Sequence, residues 1–344
     1  MEKLYEKFYV SQSPIYELLV LMLRITEYNH SKKDTNYEPE KEKMNQWFAE
    51  QLKSLPENIK EELNVFFHPD SFFGMSMIQV FYMTKKYGSI DESIEILKTV
   101  DAKRLISMFF NTGQNTLEDY SIIDNPEKVH EYVKNSTLPM NEKSKLFYLY
   151  FNPEDTMERL VNLIQYCYEN LYKPNALEIE KIQAEAFENV KKLSVPQLSE
   201  IFSFDHKSPE KLPESIIIFP SYYHQHETTF SYNSMNDTAI SIAGVQLIED
   251  LLVGNDKEEE IIELARALSD NKRLNIIREL NKAPHYGYEL AQKLDLTSPT
   301  VSHHMNVLFR LGLVTTSKYE NKIYYEVNKE KLRQALEDMA NFLS

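Results

Sequence analysis

From Thr297 to Asn306 the chain reads Thr-Ser-Pro-Thr-Val-Ser-His-His-Met-Asn, rich in hydroxyl, imidazole and amide groups and free of carboxylates. Such side chains form hydrogen bonds without a fixed charge, which suits base edges and phosphate oxygens of DNA. Val301, Met305 and Leu308 stand at i, i+4 and i+7 and share one helical face. Ser298, Ser302 and Asn306 form a second stripe, small and polar. A helix with an apolar back and a small polar front fits a major groove closely. His303 and His304 are neighbours, about 100° apart on a helix, so they cannot chelate one ion together. The other histidine pair is His224-Gln225-His226-Glu227. On a strand His224 and His226 would share a face and offer two ligands to a metal. No third ligand is identifiable, so these two are the metal candidates and no metal is assigned. No Gly-rich phosphate loop, G-x-S-x-G or H-E-x-x-H motif occurs, and no cofactor is implied.

The elements that must hold the polar stripe are marked in the chain. Thr297 or Ser298 can cap the helix, Pro299 suits its first turn, and Gly312 falls where it must end in a left-handed residue. Two β runs follow, Leu313 to Lys318 and Ile323 to Val327, with Tyr319 to Lys322 as the hairpin tip. A helical stretch from Lys329 to Leu343 comes last. Upstream, Glu258 to Leu268, Asn271 to Asn281 and Tyr288 to Leu294 read as three helices. The order is helix, helix, helix, recognition helix, hairpin, helix.

That order, with the words Ala267-Leu268-Ser269-Asp270-Asn271-Lys272-Arg273-Leu274, Glu289-Leu290-Ala291, Ser298-Pro299-Thr300-Val301-Ser302-His303-His304 and Lys322-Ile323-Tyr324-Tyr325, resembles the winged-helix regulators of the arsenical-resistance-repressor (ArsR) family. The resemblance implies a homodimer on a pseudo-palindromic operator. It places Thr297 and Ser298 at the helix cap and phosphate, and Thr300, Ser302 and His303 on the base-reading and backbone-contacting face. His304 falls at an inward or groove-edge position, and Lys318 and Lys322 flank the wing tip. The family often has Gly and Arg at that tip, where this chain has Glu320 and Asn321. Its classical metal sensors carry cysteines on the helix before the recognition helix, where Tyr288 to Gln292 has none; other members use Asp and His on the last helix, which here lacks histidine.

The chain has 344 residues and a net charge of −15. Residues 258–344 hold 12 Lys and Arg against 13 Asp and Glu, and the remaining residues hold 26 against 40. The acidity therefore lies outside the DNA-binding region, which must direct its few cations at the backbone. The single Cys167 permits no intramolecular disulfide and reads as a buried structural thiol. The absence of a signal-peptide pattern at the start and of a spanning apolar run predicts a cytoplasmic protein without membrane contact.

Most of the first 257 residues read as helix, beginning with Ser13 as cap to Pro14–Tyr28. β-rich runs lie near 3–10 and across 215–245, including Ser221 to Tyr232. The expected fold is mainly α with small β elements (α+β). Residues 1–253 form a helical effector or dimerisation domain with a small sheet, and 258–344 a winged helix-turn-helix, joined by a hinge at Gly254 to Lys257. The Phe and Tyr clusters of the first domain could line a pocket or fill a core. The reading is a transcription repressor, not an enzyme, whose partners are double-stranded DNA, a second copy and a candidate small-molecule effector. The alternative is a metal-dependent or other enzyme, or an interaction protein, carrying an appended winged helix.

Overall fold

The computed structural model describes residues 1–31, 42–111, 120–203, 213–233, 236–253, 257–319 and 322–343. The fold is mainly α with small β elements. The chain forms two compact units that cut the sequence differently from the division expected at 253–258. Residues 13–181 form one, and residues 1–12 with 182–344 form the other. The expected hinge residues Gly254, Asn255 and Asp256 lie outside the described residues. No helix among the described residues is long and apolar enough to cross a membrane.

Residues 13–181 are helical: α1 Pro14–Ser31, α2 Glu42–Ser54, α3 Glu57–Phe66, α4 Met77–Thr84, α5 Ile90–Thr99, α6 Ala102–Ser107, α7 Pro126–Asn135, α8 Met140–Phe151 and α9 Pro153–Cys167. Side-chain caps set several starts. Ser13 accepts from the amide of Tyr16, Ser89 from Glu92, Asp101 from Arg104, and Asn125 from Glu127 and Lys128. The middle of α1 is apolar all round and buried from Leu18 to Leu23, as a central helix must be. Phe73 stacks on Phe109, Phe66 meets Phe109 edge-on, and Phe110 packs edge-on to Tyr150, so these rings fill the interior. Cys167 is fully buried, and burial pushes its thiol far up, which keeps it protonated and inert.

A charged cluster is embedded in this unit. Glu142 is completely buried and accepts two bonds from Lys145 at 2.8 Å, while Lys145 also donates to the carbonyl of Asn64. His68 lies 3.7 Å from Glu142 and accepts from the amide of Asp70 at Nδ1, with the His30 ring edge-on at 4.5 Å. Burial pushes the His68 imidazole down from 6.5 to about 4, with Lys145 and His30 adding to the shift and Asp70 opposing it. The unfolded chain therefore takes up a proton below pH 6.5 that the folded ring refuses until about pH 4. Stability falls across that window by up to about 1.4 kcal/mol per pH unit. Urea unfolding should show wild type losing roughly 2 kcal/mol more than His68→Gln between pH 6.5 and pH 5; parallel losses in the two proteins would exclude His68 as the cause.

The second unit begins with a five-stranded sheet in the order β1-β2-β3-β5-β4. Its strands are β1 Glu2–Lys3, β2 Phe8–Val10, β3 Ser215–Ser221, β4 Thr228–Asn233 and β5 Thr238–Gly244. The three central strands are parallel, with Val10 opposite Ile218 and Ile218 opposite Ser241, and the two edges are antiparallel. Helices α10 Ala176–Val190, whose first residues precede the unit boundary, α11 Val195–Ser203 and α12 Val245–Val253 supply the cover. Val190, Leu198, Ile201, Val245 and Ile248 pack on Val10, Ile216, Ile218, Ala239 and Ala243. The tight turn from β3 to β4 rests on Gly244. The carbonyl of Gln225 passes over it and accepts from the amides of Gln246 and Leu247, closing the start of α12.

The expected strand Ser221–Tyr232 is broken. Residues 222–226 form that turn, with Gln225 in the left-handed region at φ 55°. His224 and His226 therefore do not alternate on one strand. His224 is buried with Nε2 2.8 Å from Thr229 Oγ1, while His226 Nδ1 faces Asp250 at 3.0 Å. Among the described residues no group of three or more His, Cys, Asp or Glu side chains could hold a metal ion.

Candidate nucleic-acid interface

The rest of the second unit runs α13 Lys257–Ser269, α14 Asn271–Lys282, α15 Gly287–Leu294, α16 Ser298–Arg310, β6 Val314–Tyr319, β7 Lys322–Val327 and α17 Lys329–Leu343. It has its own apolar core, in which Leu264, Ile276, Leu280, Leu290, Val301, Met305, Leu308 and Leu313 meet. The corner between α13 and α14 is locked from both sides. Asp270 Oδ1 accepts from the amide of Arg273, and the buried Arg273 guanidinium donates to the carbonyls of Ala267 and Arg266. Burial pushes the Asp270 carboxyl up, but the Arg273 amide and the nearby His304 and Arg273 outweigh it and leave it below the usual carboxylate range.

Helix α16 is fixed at both ends. Thr297 has extended backbone and accepts from the amide of Thr300, and Pro299 sits in the first turn. At the other end Gly312 takes φ 65°, its amide donating to Phe309 and that of Leu313 to Leu308. An L side chain at Gly312 would be strained. Between these ends Val301, Met305 and Leu308 point into the core. Ser302 is exposed, and Ser298, His303 and Asn306 are half-buried on the open side.

Thr300 departs from the expected arrangement. It is 7 % exposed, and its hydroxyl lies 2.7 Å from that of Thr297. Residues two apart on a helix are rotated by about 200°, so Thr300 and Ser302 cannot share a face. Thr300 helps to build the first turn instead. His304 is buried at 6 %, an inward position. Ser302 and Asn306 come together on the open face, with Ser298 one turn before and Thr297 exposed at the cap.

Strands β6 and β7 pair in register from Val314–Val327 to Tyr319–Lys322, which brings the Lys318 and Lys322 backbones to the tip end of the hairpin. Glu320 and Asn321 lie outside the described residues. The wing has one further partner that periodicity does not reveal. His285 exchanges both backbone hydrogen bonds with Tyr325, at 3.1 and 2.7 Å, and its ring is held between Glu289 and Lys293. A single-residue bridge leaves no alternating pattern to read. Tyr288 and Gln292, exposed on α15 and bonded to each other at 2.9 Å, are a second pair without a sequence signal.

The bacterial regulatory protein arsR family matches residues 270–316, from the cap of α14 into β6. The arsenical resistance operon repressor of Staphylococcus aureus is 32% identical over 81 residues, which cover 24% of this chain and 78% of that protein. The repressor of the same description from Staphylococcus xylosus is 36% identical over 74 residues, covering 22% and 71%. The transcriptional repressor SdpR of Bacillus subtilis is 27% identical over 79 residues, covering 23% and 88%. A two-ended helix with an open polar face, carried on its own core and matched across most of the length of these repressors, places the chain among DNA-binding regulators: it belongs to the arsR family of bacterial regulatory proteins.

Proposed function

We propose that the protein is a homodimeric repressor that places one α16 in each half of a pseudo-palindromic operator. The observation that carries this reading is the open face of α16, capped by Thr297 and ended at Gly312, with Ser302 exposed and the apolar side buried. Thr297 and Ser298, at the start of the helix, contact phosphate. Ser302, His303 and Asn306 face the groove, and Lys318 and Lys322 bring charge to the flanking backbone. The acidic remainder of the chain, 26 cationic against 40 anionic residues before residue 258, works against loose binding. The test is binding to a duplex from the gene's own promoter as a function of salt. With about four phosphates contacted, affinity drops roughly a hundredfold between 50 and 200 mM salt. Equal, salt-insensitive binding to every duplex would refute the reading.

Helices α13 and α17 supply the dimer surface. They pack against each other and leave Ile262, Leu336 and Phe342 at 42 %, 45 % and 49 % exposure, with Leu332 and Met339 half-buried beside them. An exposed apolar strip of this kind is stabilised by pairing. Leu336→Glu should convert the dimer to a monomer in sedimentation and lower operator affinity by roughly tenfold or more, since two linked helices bind far better than one. Unchanged mass would exclude this surface. The likeness to the arsenical resistance operon repressors spans less than a quarter of the chain. We assign reception of a small-molecule signal to the residues before 254, whose binding would change the spacing of the two recognition helices.

A further inference from the structure

Among the described residues the Asn306 side chain has no hydrogen-bond partner, although it is half-buried on α16. The Ser302 hydroxyl, one turn before it, has none among the described residues either. Ser144 and Ser199, by contrast, both donate back to the carbonyl four residues earlier. The inward face of α16 is the arc of Thr300, Val301, His304, Met305 and Leu308. At 100° per residue Asn306 lies almost diametrically opposite the middle of that arc. It therefore points away from the apolar side of the helix. Ser298 and Ser302 on the same side are small enough to let the helix backbone approach a surface closely. A short side chain then reaches that surface without a long linker.

We infer that Asn306 is the specificity-determining residue of the helix and that it reads an adenine in the major groove of each half-site. The inference rests on the DNA-binding reading above and adds the base. A carboxamide offers one acceptor and a pair of donors on one plane. Adenine presents the complement, an N6 amino donor beside an N7 acceptor, and so accepts both bonds at once. Guanine presents two acceptors at the same edge and leaves the amide oxygen facing an oxygen. Thymine and cytosine offer one partner each. Among Ser298, Ser302, His303 and Asn306, only Asn306 has both groups in that planar arrangement. The rise from Ser302 to Asn306 is about 6 Å, so the two residues address base pairs about two steps apart.

The experiment is selection from duplexes with randomised half-sites by the full-length protein, followed by atom-level substitution in the selected site. Wild type is expected to enrich an A·T pair at one fixed position of each half. Replacing that adenine with 7-deazaadenine, which lacks only the N7 acceptor, should weaken wild type by roughly 5–10-fold, part of the discrimination a bidentate pair supplies. Asn306→Ala should bind both duplexes equally, lose the preference at that position alone and keep the wild-type salt dependence and melting temperature. Asn306→Asp, which keeps an acceptor and loses the donors, should move the preference towards cytosine. A wild-type motif that Asn306→Ala leaves intact at every position, or one without a sensitive adenine, overturns the assignment while leaving DNA binding in place. A wild-type protein that selects no sequence overturns the DNA-binding reading, and this one with it.

Discussion

Ser302→Glu is expected to reduce affinity for the specific duplex by about a hundredfold or more, an energy of roughly 2.7 kcal/mol. Ser302 is exposed in the middle of the polar stripe of α16, and its hydroxyl has no hydrogen-bond partner among the described residues. A glutamate there adds three heavy atoms where the helix must lie against base edges. It also sets a negative charge in a groove walled by phosphates. Both effects act on the complex alone. The unfolding free energy should stay within about 0.5 kcal/mol of wild type, as for other surface substitutions. Fluorescence anisotropy at fixed salt, with thermal unfolding alongside, separates binding from folding. Retained affinity in a folded Ser302→Glu protein would show that this face does not enter the groove. Glu substituted at Tyr288 provides a comparison on α15, where the side chain is exposed but off the stripe.

Gly244→Ala is expected to cost several kcal/mol, roughly 3–5, a large part of the 5–15 kcal/mol that holds a domain folded. A methyl group at this position would fall inside the carbonyl of Gln225, so backbone rather than a flexible side chain stands in the way. Relief requires moving the turn of residues 222–226 away from β5. That movement breaks the bonds from the Gln246 and Leu247 amides to Gln225 and from the Gly244 amide to Glu227. Several amides at the start of α12 then lose their acceptor, and the pairing of Thr228 with Ala243 is pulled out of register. Gly88→Ala is the matched control, because a methyl group there meets nothing within 4 Å. It should be neutral, or stabilising by about 0.4–1 kcal/mol through the unfolded state. Urea midpoints of the two variants test the contrast; a Gly244→Ala protein as stable as wild type would mean that the turn moves freely.

The recognition helix was legible because its signals are local. Thr297, Pro299 and Gly312 each act within one turn of the chain, and the 3.6-residue spacing of Val301, Met305 and Leu308 decides which side goes in. Membership of a polar word was less reliable than angle. Thr300 stands between Ser298 and Ser302 in sequence, yet its rotation turns it inward. The histidines at 224 and 226 misled for a related reason. Alternation implies a shared face only in an extended chain, and the positive φ at Gln225 ends the extension between them. Helices α11 and α12 were missed, although Pro196 suits a first turn and Leu247, Ile248 and Leu251 lie on one face. Val and Ile at their borders read equally well as strand, and tertiary packing on the sheet decides the matter. The sheet itself depends on partners that no local window contains.

Strand β2 ends at Val10 and its neighbour β3 begins at Ser215, with an entire helical unit between them. Protein synthesis delivers residues in order at about 5–20 per second, so β2 emerges roughly 10–40 seconds before its neighbour exists. Its pairing with β1 is available at once, but the side that meets β3 must wait through that interval while residues 13–181 can already collapse on their own core. The order of assembly on the ribosome is thereby set: the inserted helices can form first, and the segment that precedes them is among the last to find its place.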